Sequence, residues 1–217
     1  MPQNPATLLD SMSVEVANVL AFEAAITSSK IEYSSISVAD LLKRAKAVKD
    51  RLERWTDIIP KDWFPINVPA EAVPQSVRDA GIYGDACDIY PDIMVAILWN
   101  DWRWTRLRVL ELLARYEDDK QALATMQSLA DDVCASVPFC FGDRMTMMPM
   151  FAAKNKYPIA EGQPLPKAHP QNAAAFGGWY MFTPLTETLH AARFLREGQV
   201  SWIHEQLQRL GKIYNIQ

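Results

Sequence analysis

No stretch of this chain is apolar over the length that a bilayer demands. The longest near-apolar run, residues 173–182, contains a pair of glycines and is about half as long as a spanning helix, so no membrane segment is expected. Lysine and arginine form no run either. With 22 basic against 26 acidic residues and a formal charge of −4, the chain lacks the cationic strip on which phosphate binding depends, and direct nucleic-acid binding is not expected. Cysteine is scarce. Cys87, Cys134 and Cys140 are odd in number and never spaced C-x-x-C, which argues against a disulfide frame or a cysteine zinc cage and for buried thiols in a reducing compartment. His169, His190 and His204 lie far apart, and His204-Glu205 has no second histidine at zincin spacing, so no metal and no cofactor are expected. A G-x-S-x-G elbow is missing, and Gly81-Ile82-Tyr83-Gly84 is too short for a phosphate cradle and lacks a following Lys-Ser/Thr. The opening MPQNPATLLD has no basic region ahead of an apolar run, so no secretory signal is expected and the chain reads as an intracellular soluble protein.

What the chain does have is one long uninterrupted helical stretch, PDIMVAILWNDWRWTRLRVLELLARYED, from Pro91 to Asp118. At about 1.5 Å per residue this predicts a spine about 42 Å long. Pro91 suits a first helical position, where a missing N–H costs nothing, and Asp92 favours the positive end of the dipole. From Ile93 to Trp99 every residue is apolar, which predicts burial all round. Asp101, Arg108, Glu111 and Arg115 gather on one side at 100° per residue and are expected to meet solvent, Glu111 pairing with Arg115. Arg103 and Arg106 project instead among apolar neighbours, so each needs a carboxylate or carbonyl-rich partner from elsewhere in the chain. Asp85, Asp88 and Asp92, just ahead of the spine, are the candidate partners. On this reading Arg106→Ala orphans a carboxylate and costs about 2–4 kcal/mol.

Around the spine the pattern is helical throughout. A first helix over about residues 5–30 carries Leu8, Leu9, Met12, Val16, Val19, Leu20 and Ala24 inward. A second follows a capping box at Ser37 and Asp40 and buries Leu41, Leu42, Ala45, Val48, Leu52 and Trp55, with Glu53 outward. Prolines 60, 65, 69 and 74 and glycines 81 and 84 mark a long irregular connection fastened by Trp63, Phe64, Ile66, Val68, Ile82, Tyr83 and Tyr90. A helix over 120–137 is closed by Pro138. Its adjacent Asp131 and Asp132 are unfavourable near a helix carboxyl end unless an arginine claims one. A second irregular region over 139–169 holds the methionine cluster 145–150, core filler or a pliable pocket wall, then a surface loop over 154–170. The stretch 172–196 is expected to kink or split near Phe182 because of Pro184, Gly198 supplies a stop, and a last helix over 200–214 turns Trp202, Ile203, Leu207, Leu210 and Ile213 inward. No strand pair and no fixed-period repeat is found. The prediction is a single all-α domain over 1–217 with two long irregular connections.

The pieces LLKRAKAVKDRLERW and IIPKDWFP within 41–65, and YPDIMVAILWNDWRWTRLRVLELL at 90–113 with its W-N-x-x-R-x-x-R-like helix, are the first part of a longer likeness. With LADDVCASVPFCFGDR at 129–144, GGWYMFTPLTETLHAARFLR at 177–196 and WIHEQLQRLG at 202–211, they resemble, in order over about 38–217, the regulatory region of fungal zinc binuclear cluster transcription factors. The resemblance implies an all-helical domain that senses or relays a signal to a separate DNA-binding module. The six-cysteine cluster, its basic linker and the coiled-coil segment are missing, and Thr183 stands where the family often has an aromatic residue. DNA binding therefore does not carry over.

Two functional readings compete. In the first the domain is regulatory or effector-sensing and binds a small apolar ligand, a protein partner or a second copy of itself, through Trp99, Asn100, Trp102, Arg103, Arg106 and Met181. In the second it is an enzyme of secondary metabolism, a cyclase or isomerase folding an apolar substrate, with Asp101, Glu187 or His190 as acid–base groups and Arg103 or Arg106 polarising an oxygen. Glu187 and His190 sit at i,i+3 and share a face. A third reading is a partner that heterodimerises with a full-length factor. The location is nuclear if the chain is regulatory and cytoplasmic if it is enzymatic. The structural alternative to all of these is that the same polar residues complete buried ion pairs.

Overall fold

Helix α1, Pro5–Thr27, starts where Asn4 accepts a hydrogen bond from the Ala6 amide at 3.0 Å, with Pro5 in the first helical position. Its buried stripe is Leu9, Met12, Val16, Val19, Glu23 and Ile26. The alternating three- and four-residue spacing thus runs through a glutamate, while Ala24 is exposed, a correction to the expected inward set. The computed structural model describes residues 4–28, 35–72, 82–117, 119–141 and 177–215. The methionine cluster at 145–150 and the loop at 154–170 lie outside them. Helix α2, Ser35–Trp55, begins before Ser37, so the expected capping box falls inside the first turn. Leu41, Ala45, Val48, Leu52 and Trp55 are buried as expected, with Leu42 partly covered.

The described parts of the connection after α2, residues 56–72 and 82–92, carry regular structure that its prolines do not suggest. Strands β1, Ile66–Pro69, and β2, Ala86–Ile89, pair antiparallel with Asn67 opposite Asp88 and Val68 opposite Cys87. Four residues per strand are too few for an alternation to be read, and Pro69 sits at the end of its strand, where a missing donor is tolerated. The ribbon packs on the helix that follows the spine, with Tyr90 edge-on to Phe139 at 5.2 Å.

The spine is α3, Ile93–Tyr116. Asp92, in extended conformation, is its cap and accepts from the Val95 amide at 2.9 Å, so Pro91 precedes the helix rather than opening it. Its first half is not buried all round. Met94 is 58% exposed and Ile97 and Leu98 are partly covered, because the neighbouring helices leave one side of the first turns open. The face expected in water is only partly so: Arg115 is exposed, whereas Glu111 is 6% exposed, with Arg108, Arg115 and Arg193 against it.

Helix α4, Lys120–Phe141, continues past Pro138. The proline removes one backbone donor, while Val137, Phe139, Cys140 and Phe141 beyond and beside it are buried. Burial of that last turn outweighs the lost bond, as roughly 1.5–3 kcal/mol is gained per large apolar side chain removed from water. A single turn, Gly178–Tyr180, and helix α5, Phe182–Leu189, are separated at Met181, which is the split expected beside Pro184. Gly198, at φ 82°, sits in the left-handed region and opens helix α6, Gln199–Tyr214, so it starts a helix where it was expected to stop one. Ile203 and Leu210 of α6 are buried, whereas Ile213 is 54% exposed. The fold is all-α; among the described residues there is one small ribbon, and the buried apolar residues form one cluster. Among the described residues no helix is long and apolar enough to cross a membrane.

Candidate functional site

The interior of the spine is built around Arg103, whose side chain is 2% exposed. Its Nη2 donates to Asp88 Oδ2 at 3.0 Å, its Nη1 to Asn100 Oδ1 at 3.1 Å and to the Tyr90 hydroxyl. Asp88 also accepts from Asn67 Nδ2 at 3.1 Å and from the Tyr90 hydroxyl at 3.2 Å. The β ribbon thus sets one carboxylate against one buried cation, while its Val68, Cys87 and Ile89 join the apolar core. Asn100 passes the network on by donating to Ser136 Oγ at 3.0 Å, and Ser136 in turn donates to the Val133 carbonyl at 2.7 Å. Asn100 Nδ2 also meets Met181 Sδ at 3.5 Å. Burial pulls the Arg103 pKa down, but Tyr90, Asp88 and Asp132 outweigh it, and the group is held more firmly charged than usual. Burial raises Tyr90 well above the ordinary phenol value, so it stays a neutral donor.

The tryptophans around this network are closed off as well. Trp55 stacks on Trp102 at 5.8 Å, and Trp99 stands edge-on to both at 5.5 Å. Each indole N–H donates to a backbone carbonyl: Trp55 to Pro5 at 2.9 Å, Trp99 to Trp63 and Trp102 to Leu52 at 2.7 Å. Buried indoles need such partners; these bonds tie α1 to α2, and α2 and the connection to the spine.

Arg106 points elsewhere. It lies over the Trp102 ring at 5.2 Å and pairs with Glu53 of α2 at 3.0 Å, not with the aspartates ahead of the spine. Glu53 is 40% exposed, so losing Arg106 leaves a carboxylate that water can reach. The expectation of 2–4 kcal/mol is revised accordingly. Arg106→Ala is expected to cost about 1 kcal/mol by chemical denaturation, part ion pair and part lost packing over the indole.

The candidate acid–base residues do not converge. Asp101 accepts from Trp104 Nε1 at 3.0 Å on its own helix. Burial raises its carboxyl pKa first, the Trp104 bond lowers it and Asp10 raises it again. Glu187 of α5 is held instead by Arg108, about 10 Å beyond Asp101 along the spine at 1.5 Å per residue, at 3.1 Å, with His190 at 3.9 Å and half exposed. This pair belongs to a second ionic chain. Arg108 and Arg115 flank Glu111 at 3.6 and 3.2 Å, and Arg115 reaches Glu23 of α1 at 2.8 Å. Glu23 and Glu53 were not singled out from sequence. For Glu23 the signal was its place on the buried stripe of α1; for Glu53 there was none.

Trp99, Asn100, Trp102, Arg103 and Met181 are all buried in contact with one another and with adjoining helices. A cleft of about 260 Å³ lies elsewhere, between α1 and α2, lined by Glu15, Asn18, Val19, Arg44, Ala47 and Val48. Cys134 and Cys140 are pushed up to about 12 by burial, which makes them poor nucleophiles. Among the described residues no group of three or more His, Cys, Asp and Glu side chains is placed to hold a metal ion. No protein-family model matches the chain, and comparison with curated proteins and with solved structures gives no match either.

Proposed function

We propose that the chain is a regulatory or effector-sensing helical domain without a DNA-binding module of its own, acting through a protein partner. The observation that carries this reading is that the polar side chains of the spine are consumed internally: Asn100, Arg103 and Arg106 are each bound by other side chains of the same chain. A reacting group must be free to meet substrate, whereas a rigid, internally satisfied frame suits a surface that is read by another protein. The ordered likeness to the regulatory region of zinc-cluster factors supports the same conclusion, and Trp179 and Tyr180, 53% and 46% exposed, supply aromatic anchors of the kind enriched at interfaces. An enzyme of secondary metabolism is the second reading, favoured by Asp101, whose raised pKa suits a general acid.

Tethering the chain to a heterologous DNA-binding domain and measuring a reporter tests the first reading. Reporter output is expected to change, and the paired substitution Trp179→Ala with Tyr180→Ala is expected to abolish that change in a protein that still folds, with a modest fall in melting temperature from the lost ring contacts to Phe182 and Tyr214. An unaltered reporter, with conversion of apolar polyketide or terpenoid intermediates that is lost in Asp101→Ala or Glu187→Ala, would establish the enzyme instead.

A further inference from the structure

Helix α1 packs on α2 and the spine through its buried stripe. Its opposite side runs in three- and four-residue steps through Ser11, Val14, Ala17, Asn18, Ala21 and Ala24, all exposed. A helix face that meets water ordinarily carries charge. This one carries none. Glu15 is taken by Arg51 of α2, Glu23 is buried against Arg115, Asp10 lies ahead of the strip, and α1 has no lysine or arginine. Val14, at 61%, is the most exposed large apolar side chain among the described residues. A helix of 23 residues makes the strip about 34 Å long and about 10 Å wide, and an uncharged surface of that extent marks a contact site on a soluble protein.

We propose that the uncharged face of α1 is a dimer interface that takes the same face of a second copy of this chain in antiparallel packing. A two-fold axis sets a patch against itself, so charges near the axis meet their like, and a face without charge escapes that repulsion. The poles of α1 point the same way. It has no acidic residue in its first turn and no basic residue in its last, and an antiparallel neighbour brings the opposite pole to each end. The face also holds both halves of a fit. Val14 projects from it, and one turn further on a cleft of about 260 Å³ opens beside Asn18 and Val19, lined on the other side by Ala47 and Val48. With the axis beside Ala17, Val14 of each copy meets Asn18 of the other at the mouth of that cleft, and Ser11 meets Ala21. Alanines at the crossing let the helix axes approach to about 8 Å. Two such strips bury less than about 1,200 Å², the small end of specific interfaces, so the pair is weak and reversible. The pairing does not rest on the regulatory reading and holds equally for an enzyme.

Sedimentation of the full chain from about 10 μM to about 1 mM tests the proposal. The mass is expected to rise from that of one chain, 24.6 kDa, toward twice that value. Because the contact has no ion pair, it is expected to be unchanged between about 0.05 and about 0.5 M salt. Val14→Lys and Ala21→Glu each put a charge into the strip and are expected to raise the dissociation constant at least about tenfold. Both positions are exposed and both new residues are good helix formers, so the variants fold, which circular dichroism checks. Asn18→Glu added to Val14→Lys is expected to restore association, since the antiparallel register sets the two positions against each other. Trp179→Ala with Tyr180→Ala is expected to leave the dimer intact. A monomer throughout the range, a dimer dissolved by salt, or one that survives both Val14→Lys and Ala21→Glu overturns the proposal, and failure of the double variant to restore association overturns the antiparallel register.

Discussion

Asp88→Ala is expected to lower the folding free energy by about 3–5 kcal/mol, the range for removing one partner of a buried ion pair. The loss is not that of the pair's own attraction. It arises because Arg103, 2% exposed, keeps its charge, which Tyr90, Asp88 and Asp132 hold more firmly than usual, and would be left with Asp132 at 3.9 Å as its remaining carboxylate. The same substitution strips an acceptor from the Tyr90 hydroxyl and from Asn67. Urea unfolding gives the number directly. Tyr90→Phe, which removes one hydroxyl and leaves the charges paired, is expected to cost only about 1 kcal/mol. Replacing both charges at once, Arg103→Met with Asp88→Leu, is expected to recover much of the loss, since apolar pairs of similar volume often match buried ion pairs. A loss below about 1 kcal/mol for Asp88→Ala would mean that water reaches Arg103 and that the frame described above is not closed.

The second large effect is expected at Gly177→Ala. A Cβ there would sit 2.4 Å from the Cys140 carbonyl oxygen and 2.9 Å from Ile93 Cδ1. The first of these neighbours is backbone in the last turn of α4 and cannot rotate aside, so the first turns of the carboxy-terminal region must move away from α3 and α4. Overpacking of this kind costs about 1–3 kcal/mol and sometimes more. Gly178→Ala is the matched comparison. Its Cβ would meet the Tyr214 hydroxyl at 2.9 Å and Leu210 Cδ2 at 3.2 Å, side-chain ends that can shift, and a smaller loss is expected. Thermal melting of the two variants side by side distinguishes a backbone clash from a side-chain one, and equal losses would remove the distinction.

How much of this was legible in the sequence differs from residue to residue. The spine, the helical class and the need of Arg103 for a distant carboxylate all follow from spacing. A charge at the angle of Ala96 and Leu110 has no choice but to be paired, and Asp88 was among the few aspartates near enough in sequence. The split beside Pro184 was legible because proline acts locally. Pro138 misled for the complementary reason: the local cost was read correctly, but the burial of Phe139 and Cys140 that overrides it is tertiary. The β ribbon was invisible because four-residue strands carry no periodic signal. The partner of Arg106 was missed because Glu53 reads as an ordinary outward residue of α2, and only the crossing of α2 over the spine brings the two together. A functional site was the least legible feature. The residues chosen for chemistry are those that sequence logic finds anomalous, and in this fold an aromatic-rich interior with internal ion pairs produces the same anomaly.

The placement of α1 has a consequence for the order in which the molecule comes apart. Helices α3 and α4 are joined by a three-residue link, 117–119, so their contacts close short loops and form at small entropic cost. The side chains that fasten α1 to the spine, Ser13 on Thr105 and Glu23 on Arg115, each bridge 92 positions. Contact of α1 with the spine therefore closes a longer loop than the α3–α4 contacts and is expected to form after them, with α1 packed mainly on its sequence neighbour α2. Under denaturant the α1–spine contacts are expected to lose amide-exchange protection before those between α3 and α4.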